Sequence, residues 1–387
     1  MDELRTTARN RMDTPPEILA IALQRANTDI GTSIVKNEDV RQRVELICRN
    51  IRNKALSRLI LSCCLAKIHK PQVDIRKPYT EIDGTDTFSG RTYDEAYIGQ
   101  FIAEHRLPCN TTTAFLTPAL RNRSEPLTPN TNLVGRPPEL YKAALQLLDD
   151  VYTGTVSAND LLAESIRILL IVKHENQQRI ETLLAGVKPL AGAIPLSSES
   201  IVSIVQSHLV GRNSSRLPVL IVTAAYKTAS TQLGEQAKVL ASHNAADKQT
   251  GAIGDVEITL IDDERVLTGY EMKMRPVTRE DIDLAVQKIL DKDIDNYIFI
   301  TTSEIPQEVN NYAKSLYEKT GGVEIAVLDC ISFLRHFLHL FHRSRTRYVE
   351  EYQQLVLNEP DSAVSQPLKE LWLSLRSAAE SGLGNGE

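Results

Sequence analysis

The clearest alternation of apolar and polar residues in the chain runs through two short stretches between positions 254 and 273, GDVEITLIDDERVLTGYEMK. Alternation with a period of two predicts β-strands, and the adjacent acids Asp262 and Asp263 predict a turn between them. The two strands would therefore form a β-hairpin. Side chains two positions apart share a face, so Glu271 and Lys273 point the same way on the second strand. On the first strand one face carries Val256, Ile258 and Leu260, and the other carries Asp255, Glu257 and Thr259.

The pairing register of this hairpin decides whether its charged residues meet. Opposite residues of an antiparallel pair have position numbers with a constant sum. A sum of 526 pairs Asp255 with Glu271, whereas a sum of 528 pairs Glu257 with Glu271. Either even sum gathers the charges on one face, while an odd sum scatters them over both faces unless a β-bulge intervenes. Opposite side chains lie roughly 4.5–5.5 Å apart, which is close enough for two carboxylates to share a divalent cation.

Two carboxylates beside a lysine are the residue types that a metal-dependent phosphodiesterase needs. Mg²⁺ prefers one or two protein carboxylates, and waters and phosphate oxygens complete its coordination. Asp255 and Glu271 are the predicted ligands, and Glu257 is a further candidate. Lys273 can hold or deprotonate an attacking water. The alternative is that these charges form the solvated face of an amphipathic hairpin, because an isolated E-x-K occurs by chance in many proteins.

The segments around the hairpin predict a sheet covered by helices. A helix capped by Thr278 leads to the strand NYIFITT, and a helix that begins at Pro306 leads to the strand VEIAVLD. Before the hairpin, a helix is predicted from Pro218 to Leu240, with Glu235 inside it. This order of elements is typical of a mixed α/β sheet.

Helical periodicity dominates the N-terminal part of the chain. A helix is predicted over residues 15–26 and one long helix over residues 37–70. The apolar stripe of the long helix includes Ile51, Cys63 and Cys64, so core packing is expected for these residues. Another long helix is predicted near the C-terminus, from Ile331 onward. It carries basic residues and three histidines, at positions 336, 339 and 342, for which a solvated or phosphate-facing role is favoured over a metal site.

Residues 76–138 lose this periodicity. Six of the seventeen prolines lie between positions 108 and 138, and scattered aromatic residues argue against disorder. Long irregular stretches in compact chains are usually functional. Arginine reads guanine and asparagine reads adenine through paired hydrogen bonds in the major groove. The segment is therefore a predicted DNA-recognition segment, and its candidate contacts are Arg121, Asn122, Arg123 and Arg136. The alternative is a solvated loop whose arginines anchor acids elsewhere.

Composition is that of an ordinary globular protein, with 42% apolar and 24% charged residues among 387. A net charge of −6 argues against a protein that coats nucleic acid without specificity, but not against a specific DNA enzyme. Five cysteines without a C-x-x-C motif predict neither a disulfide framework nor a zinc site. No apolar run reaches membrane-spanning length and the charged N-terminus is unlike a signal peptide, so the cytoplasm is the expected compartment.

These residues carry a resemblance to known nucleases. Asp255, followed sixteen residues later by Glu271 and then by Lys273, resembles the PD-(D/E)xK nuclease superfamily, although Gly254 replaces the usual proline. Longer motifs resemble type II restriction endonucleases of the SacI family, namely KPYTEIDGTDTFSGRTYDE, LPCNTTTAFLTPALRNR, VGRPPELY, SHNAADKQTGAIGDVEITL and YEMKM. The resemblance implies Mg²⁺-dependent cleavage of double-stranded DNA at a short palindrome, and a protective DNA methyltransferase in the same cell. It also implies catalytic roles for Asp255, Glu271 and Lys273.

The expected fold is α/β, a mixed sheet with a restriction-endonuclease-like PD-(D/E)xK core and a large N-terminal helical and loop-rich region. A homodimer is expected, because two copies match the two-fold axis of a palindrome. The alternative function is a DNA-binding or DNA-repair module on the same fold with weak or partner-dependent cleavage. Five regions are predicted: N-terminal helices (1–75), the proline-rich DNA-recognition segment (76–138), a helical region (139–215), the nuclease core (216–330) and C-terminal helices (331–387).

Overall fold

The computed structural model of the protein describes residues 14–51, 53–110, 112–187, 194–238, 252–290 and 292–382. Contacts divide the chain into two units, one up to Gln178 and one from Arg179 onward. The division falls inside the helical region predicted over residues 139–215. Among the described residues, no helix is both long and apolar enough to cross a membrane.

The first unit consists of helices and the loops that join them. Its elements are α1 (Pro15–Thr28), α2 (Glu38–Cys48), α3 (Ala55–His69), α4 (Gly90–Tyr93), a π-helical turn (Asp94–Ile98), α5 (Gly99–His105), a 3-10 turn (Ala114–Leu116), α6 (Pro138–Tyr152) and α7 (Ala158–Gly186), which the division crosses. Helix α3 is the most deeply buried element, since every residue from Ala55 to Ala66 is buried. Cys63 and Cys64 lie in this core as predicted, and burial raises the pKa of both thiols.

The prediction of a single helix over residues 37–70 is wrong, because α2 ends at Cys48 and a separate helix, α3, begins at Ala55. The Asn50 side chain accepts a hydrogen bond from the backbone N–H of Asn53 at 2.8 Å. The Asn53 side chain in turn accepts one from the N–H of Ala55 at 3.2 Å. Such local bonds compete with the helical pattern and end it. As a consequence Ile51, predicted to be in the core, is 65% exposed.

The proline-rich segment is more regular than predicted, since α4, the π-helical turn and α5 run without interruption from position 90 to 105. Its aromatic residues hold it in the core of the first unit, as their number predicted: Tyr79, Phe88, Tyr93, Phe101 and Phe115 are all buried. A buried ion pair adds to this anchoring, with Arg58 Nε of α3 donating to Asp94 Oδ1 at 2.8 Å.

The second unit contains the predicted mixed α/β fold. Its elements are α8 (Ser198–Leu209), α9 (Leu217–Leu233), β1 (Glu235–Ala237), β2 (Val256–Leu260), β3 (Val266–Lys273), α10 (Arg279–Ile289), β4 (Asn296–Thr301), α11 (Gln307–Lys314), β5 (Glu324–Asp329), α12 (Cys330–Leu340), a 3-10 turn (His342–Ser344), α13 (Arg345–Asn358) and α14 (Gln366–Gly382). Within the described residues, the strands form one sheet in the order β1-β2-β3-β4-β5. Strands β1, β2 and β3 pair antiparallel, whereas β3, β4 and β5 pair parallel.

Two predicted helix boundaries in this unit are wrong. The helix predicted to reach Leu240 ends at Leu233, because Gly234 adopts a left-handed conformation with φ of 72°. Glu235 consequently lies on a strand, β1, and residues 239–251 lie outside the described part. The helix predicted from Ile331 is also interrupted, and the break lets Phe337 of α12 and Tyr348 of α13 face one core, with ring centroids 5.7 Å apart.

The two faces of the sheet have different surroundings. One face, called the apolar face here, carries Val256, Ile258 and Tyr270 into a core shared with α8, α9, α12, α13 and α14. The opposite face, called the charged face, carries Glu257, Gly269 and Glu271. Its apolar residues pack beneath α10 and α11 in a second core that includes Tyr297 and Phe299. Strand β3 therefore has a hydrophobic core on one side and, on the other side, a face that also bears ionisable side chains.

A β-bulge sets the register of the hairpin. Val256 pairs with Tyr270 and Ile258 with Thr268, which is the predicted sum of 526, but Thr259 pairs with Val266, one residue out of step. The alternation predicted for β2 is therefore wrong beyond the bulge: Thr259 is buried, and Leu260 is exposed. At the charged end of the hairpin the even sum holds, so the bulge keeps the predicted charges on one face.

Candidate active site

The register brings the two predicted metal ligands to opposite positions. Since Val256 pairs with Tyr270, one further step places Asp255 opposite Glu271. The Asp255 carboxylate accepts the backbone N–H of Met272 on Oδ2 at 2.7 Å, which fixes it to the end of the hairpin. The sheet thus places one carboxylate on each arm, as the sum of 526 predicted.

Glu271 is the centre of a hydrogen-bonded cluster on the charged face. Lys273 Nζ donates to its Oε1 at 2.9 Å. Tyr297 of β4 donates its hydroxyl to Oε2 at 3.0 Å, and Lys288 of α10 reaches the same oxygen at 3.4 Å. The Glu271 side chain is 15% exposed. Neighbouring cations and a hydroxyl donor compensate the desolvation of a carboxylate at this depth.

Lys273 lies between Glu271 and the N-terminal end of α10. Its Nζ is 3.7 Å from Oδ1 of Asp281, in addition to its bond with Glu271. Asp281 caps α10 by accepting the N–H of Thr278, and it binds both terminal nitrogens of Arg275 at 2.6 and 2.7 Å. The hydrogen bonds from Arg275 lower the pKa of Asp281 to about 2. Asp281 is therefore ionised at neutral pH and attracts the Lys273 ammonium group.

Glu257 shares the charged face but has a different environment. The register pairs it with Gly269 rather than with Glu271, so the alternative sum of 528 is wrong. Its Oε1 accepts the backbone N–H of Ile253 at 2.7 Å, and Lys238 Nζ lies 3.7 Å from Oε2. This bond holds the loop that leads into Asp255. Glu257 thus supports the position of a candidate ligand.

The position before Asp255 leaves no space for a side chain, so glycine is required there. A Cβ atom on Gly254 would lie 2.5 Å from the backbone oxygen of Tyr270 and 3.0 Å from its carbonyl carbon. Backbone atoms of a paired strand cannot move aside as a side chain can. The two arms of the hairpin approach so closely here that any residue with a Cβ would displace Asp255.

The donor set of this site fits Mg²⁺. In the described part of the chain, no group of three or more histidine, cysteine or acidic side chains could hold a metal. Mg²⁺ does not require such a cage, because one or two carboxylates with waters and substrate phosphate oxygens satisfy its coordination. Asp255 and Glu271 supply carboxylate oxygens on opposite arms of the hairpin. They are the residues that would hold the ion.

The predicted DNA contacts lie in the first unit and differ in how firmly they are held. Arg121, Asn122 and Arg136 are exposed. Arg123 instead donates to the carbonyl oxygens of Ala119 at 3.1 Å and Asn132 at 3.2 Å, and to Glu125 at 2.7 Å. Its guanidinium links three points of the proline-rich segment. Arg123 therefore matches the anchoring alternative, whereas the exposed residues can still meet a groove.

The C-terminal histidines do not gather as metal ligands within the described residues. His339 and Arg335 both contact the Glu199 carboxylate, at 3.0 and 3.1 Å. These bonds lower the pKa of Glu199. The observation agrees with the favoured interpretation of a basic helix surface.

Three side chains of the Glu271 cluster were missed in the sequence: Asp281, Lys288 and Tyr297. Asp281 and Lys288 lie seven residues apart, two turns along α10, so helical spacing puts them on one face of the helix. The spacing does not reveal which strand that face packs against. Tyr297 pairs with Gly269 across the parallel register of β3 and β4. That register depends on tertiary packing, and alternation within one strand does not reveal it.

One comparison with known proteins bears on this geometry. Residues 194–302 match the family model described as the SacI restriction endonuclease C-terminal domain. The predicted resemblance to the SacI family is confirmed. The matched residues include the whole hairpin and end after β4, so they contain Asp255, Glu271, Lys273 and Tyr297, but not the proline-rich segment. A restriction endonuclease domain implies a nuclease. No curated protein matches the chain.

Proposed function

We propose that the protein is a type II restriction endonuclease that hydrolyses phosphodiester bonds of double-stranded DNA at a short palindromic site and requires Mg²⁺. The observation that carries the proposal is the register of β2 and β3, whose continuation by one residue sets Asp255 opposite Glu271, together with the hydrogen bond from Lys273 to Glu271. The order of Asp255, Glu271 and Lys273 resembles that of the PD-(D/E)xK superfamily, which supports the proposal. The SacI-type domain match over the hairpin supports the same conclusion.

Each residue has a distinct task in the proposed reaction. Asp255 and Glu271 would hold Mg²⁺, which supplies positive charge against the negative charge that develops on the phosphate. Lys273 would orient the attacking water as a hydrogen-bond donor and offset the negative charge of the transition state, because its ammonium group lies beside the Glu271 and Asp281 carboxylates. Asp281 would help to orient Lys273 through its carboxylate, which lies 3.7 Å from the lysine Nζ. Glu257 holds the loop before Asp255 in place.

Base recognition is assigned to the exposed residues of the proline-rich segment, Arg121, Asn122 and Arg136. Two copies of the chain would act together as a homodimer, since one hairpin cuts one strand and a palindrome has two equivalent strands. In the cell, such an enzyme in the cytoplasm requires a cognate DNA methyltransferase that protects the host sequence. The methyltransferase is a functional partner and need not touch the nuclease.

Cleavage of unmethylated phage DNA tests the proposal. The purified chain is incubated with the DNA and Mg²⁺, and the fragment ends are sequenced. Discrete fragments whose ends share one short palindrome are expected. Specific DNA binding without cutting would favour the DNA-binding alternative, and degradation without a common end sequence would exclude a type II enzyme.

Arginine substitutions test where the bases are read. Arg121→Ala and Arg136→Ala should each lower discrimination between the cognate duplex and a scrambled one, by roughly 1–3 kcal/mol where the arginine grips guanine. Binding is measured with Ca²⁺ in place of Mg²⁺. Arg123→Ala is the matched control, and it should lower the unfolding stability because it removes three hydrogen bonds. If Arg121→Ala and Arg136→Ala both keep the full specificity ratio, the bases are read elsewhere.

A further inference from the structure

We propose that Tyr297, assisted by Lys288, is a positioning residue that holds Oε2 of Glu271 and so fixes the carboxylate for metal binding. This inference rests on the proposed function, because it assigns Glu271 to the metal. Tyr297 touches neither the scissile phosphate nor the metal in this role. It acts through the orientation of Glu271.

The Tyr297 hydroxyl is a fixed donor. Its side chain is fully buried in the core beneath α10 and α11, and its ring meets that of Phe299 edge to face, with centroids 5.3 Å apart. A buried ring of this kind has little rotational freedom. The hydroxyl donates to Glu271 Oε2 at 3.0 Å, so the position of the ring determines the position of that oxygen.

Gly269 provides the space that this contact needs. It lies between Glu257 of β2 and Tyr297 of β4 in the sheet register. A Cβ atom on Gly269 would lie 2.9 Å from Ile253 and 3.4 Å from the Tyr297 ring. Without that atom, the ring lies against β3 and its hydroxyl reaches Glu271, two residues further along the strand.

Lys288 is the weaker of the two contacts with Oε2. Its Nζ is 3.4 Å from the oxygen, and its side chain is one-third exposed. A flexible, partly solvated ammonium adjusts its position more easily than a buried phenol does. Tyr297 therefore provides the rigid part of the arrangement, and Lys288 adds positive charge to it.

The two oxygens of Glu271 consequently have different roles. Oε2 is held by groups that lie behind the site, on β4 and α10. Oε1 faces Lys273, the residue assigned to the attacking water. A carboxylate anchored through Oε2 would keep Oε1 in place for the metal ion when Lys273 moves from Oε1 to the attacking water.

Tyr297→Phe tests the inference, because it removes the hydroxyl and keeps the buried ring. Tyr270→Phe is a matched control on β3, next to Glu271 in sequence. Tyr270 is also a buried tyrosine, but its hydroxyl contacts that of Tyr226 at 2.9 Å on the apolar face. Both variants lose a partly buried hydrogen bond. Only Tyr297→Phe loses a bond to Glu271.

Metal affinity is the primary measurement, made on the full chain by Mn²⁺ titration with and without DNA. Residues that orient metal ligands typically contribute 10–100-fold to affinity, so Tyr297→Phe should weaken Mn²⁺ binding about tenfold or more. Tyr270→Phe should bind Mn²⁺ as the wild type does. Cleavage is measured second: Tyr297→Phe should need more Mg²⁺ for half-maximal rate and keep the wild-type KM for DNA.

Lys288→Met extends the test to the second donor. It should weaken Mn²⁺ binding less than Tyr297→Phe, and it keeps the inference testable should Tyr297→Phe fail to fold. Unchanged Mn²⁺ affinity in both folded variants would overturn the inference. In that case, specific cleavage by the wild type would leave the proposed function intact. Wild-type protein that binds no Mn²⁺ would overturn the inference and the proposed function together.

Discussion

Tyr270 and Glu271 are neighbours on β3, yet their side chains lie on opposite faces of the sheet, in different environments. Tyr270 packs on the apolar face, 3% exposed, and its hydroxyl meets that of Tyr226. Burial raises the pKa of both phenols, which keeps them neutral. Glu271 lies on the charged face among two lysines and a tyrosine. One strand thus carries a stabilising residue and a candidate catalytic residue side by side.

The apolar face contributes mainly to stability, whereas the candidate catalytic groups lie on the charged face. The apolar face buries a large hydrophobic core against five helices, and burial of this kind is the main source of folding free energy. The ion pairs of the charged face are partly exposed, and such pairs contribute little to stability. Substitutions of the charged residues on the charged face should therefore affect cleavage more than folding, and substitutions of core residues on the apolar face should do the reverse.

The largest effect is expected from Lys273→Ala on the charged face. Removing the group that orients the water and offsets transition-state charge should lower the cleavage rate about 100–1000-fold. The melting temperature should change little, and DNA binding in Ca²⁺ should persist. Lys319→Ala, at an exposed lysine of the same unit, is the control and should cut normally. Wild-type cleavage by Lys273→Ala would refute the site assignment.

The next effect concerns His208, in the core of the apolar face. Its ring nitrogens contact the Tyr352 hydroxyl at 3.0 Å and the Leu368 carbonyl oxygen at 2.9 Å. Burial lowers the pKa of this imidazole from 6.5 to about 4. The unfolded chain therefore binds a proton more readily, so His208 contributes stability above pH 6.5 that is lost as the pH falls towards 4.

This loss should amount to about 3 kcal/mol of unfolding free energy between pH 6.5 and 4. Denaturant unfolding of the wild type and of His208→Gln across this range measures it. The variant should be less stable at pH 7 and depend less on pH. Equal pH dependence in the two proteins would contradict a neutral, buried His208.

Gly254→Ala should disturb the charged face through the backbone. The added Cβ would meet the Tyr270 backbone, so the end of the hairpin must shift at a cost of roughly 1–3 kcal/mol. Cleavage should fall as well, because Asp255 moves with it. Gly186→Ala is the control, since among the described residues its Cβ would meet only Ser377 Oγ, at 4.0 Å. The melting temperature and the cleavage rate of both variants are measured. An unchanged melting temperature and cleavage rate for Gly254→Ala would contradict the close approach of Gly254 to the Tyr270 backbone.

The smallest effect is expected from Tyr270→Phe on the apolar face. It removes a partly buried hydrogen bond, to Tyr226, and should lower the unfolding free energy by about 1 kcal/mol. The cleavage rate should not change, because no group of the Glu271 cluster depends on this hydroxyl. A strong loss of cleavage at unchanged stability would break the separation between the faces.

Local pattern was enough to predict the hairpin, its turn and the shared face of Glu271 and Lys273, because alternation reports directly on strand faces. The β-bulge could not be predicted from alternation, since it depends on the packing of β2 against its neighbours and not on the sequence of β2 alone. Strand β1 has only three residues, which are too few to show the alternation of apolar and polar residues that marks a strand. It therefore could not be distinguished from the preceding helix. Tyr297 could not be assigned to the site because its contact with Glu271 depends on the parallel register of β3 and β4.

The metal dependence of cleavage by the wild-type chain tests directly whether the hairpin carboxylates hold a divalent cation for phosphodiester hydrolysis. Specific cutting is expected with Mg²⁺ or Mn²⁺. With Ca²⁺, whose looser coordination positions water poorly, DNA should bind but not be cut. Excess chelator should abolish cleavage, and added Mg²⁺ should restore it. Undiminished cleavage in excess chelator would contradict the assignment of Asp255 and Glu271 as metal ligands.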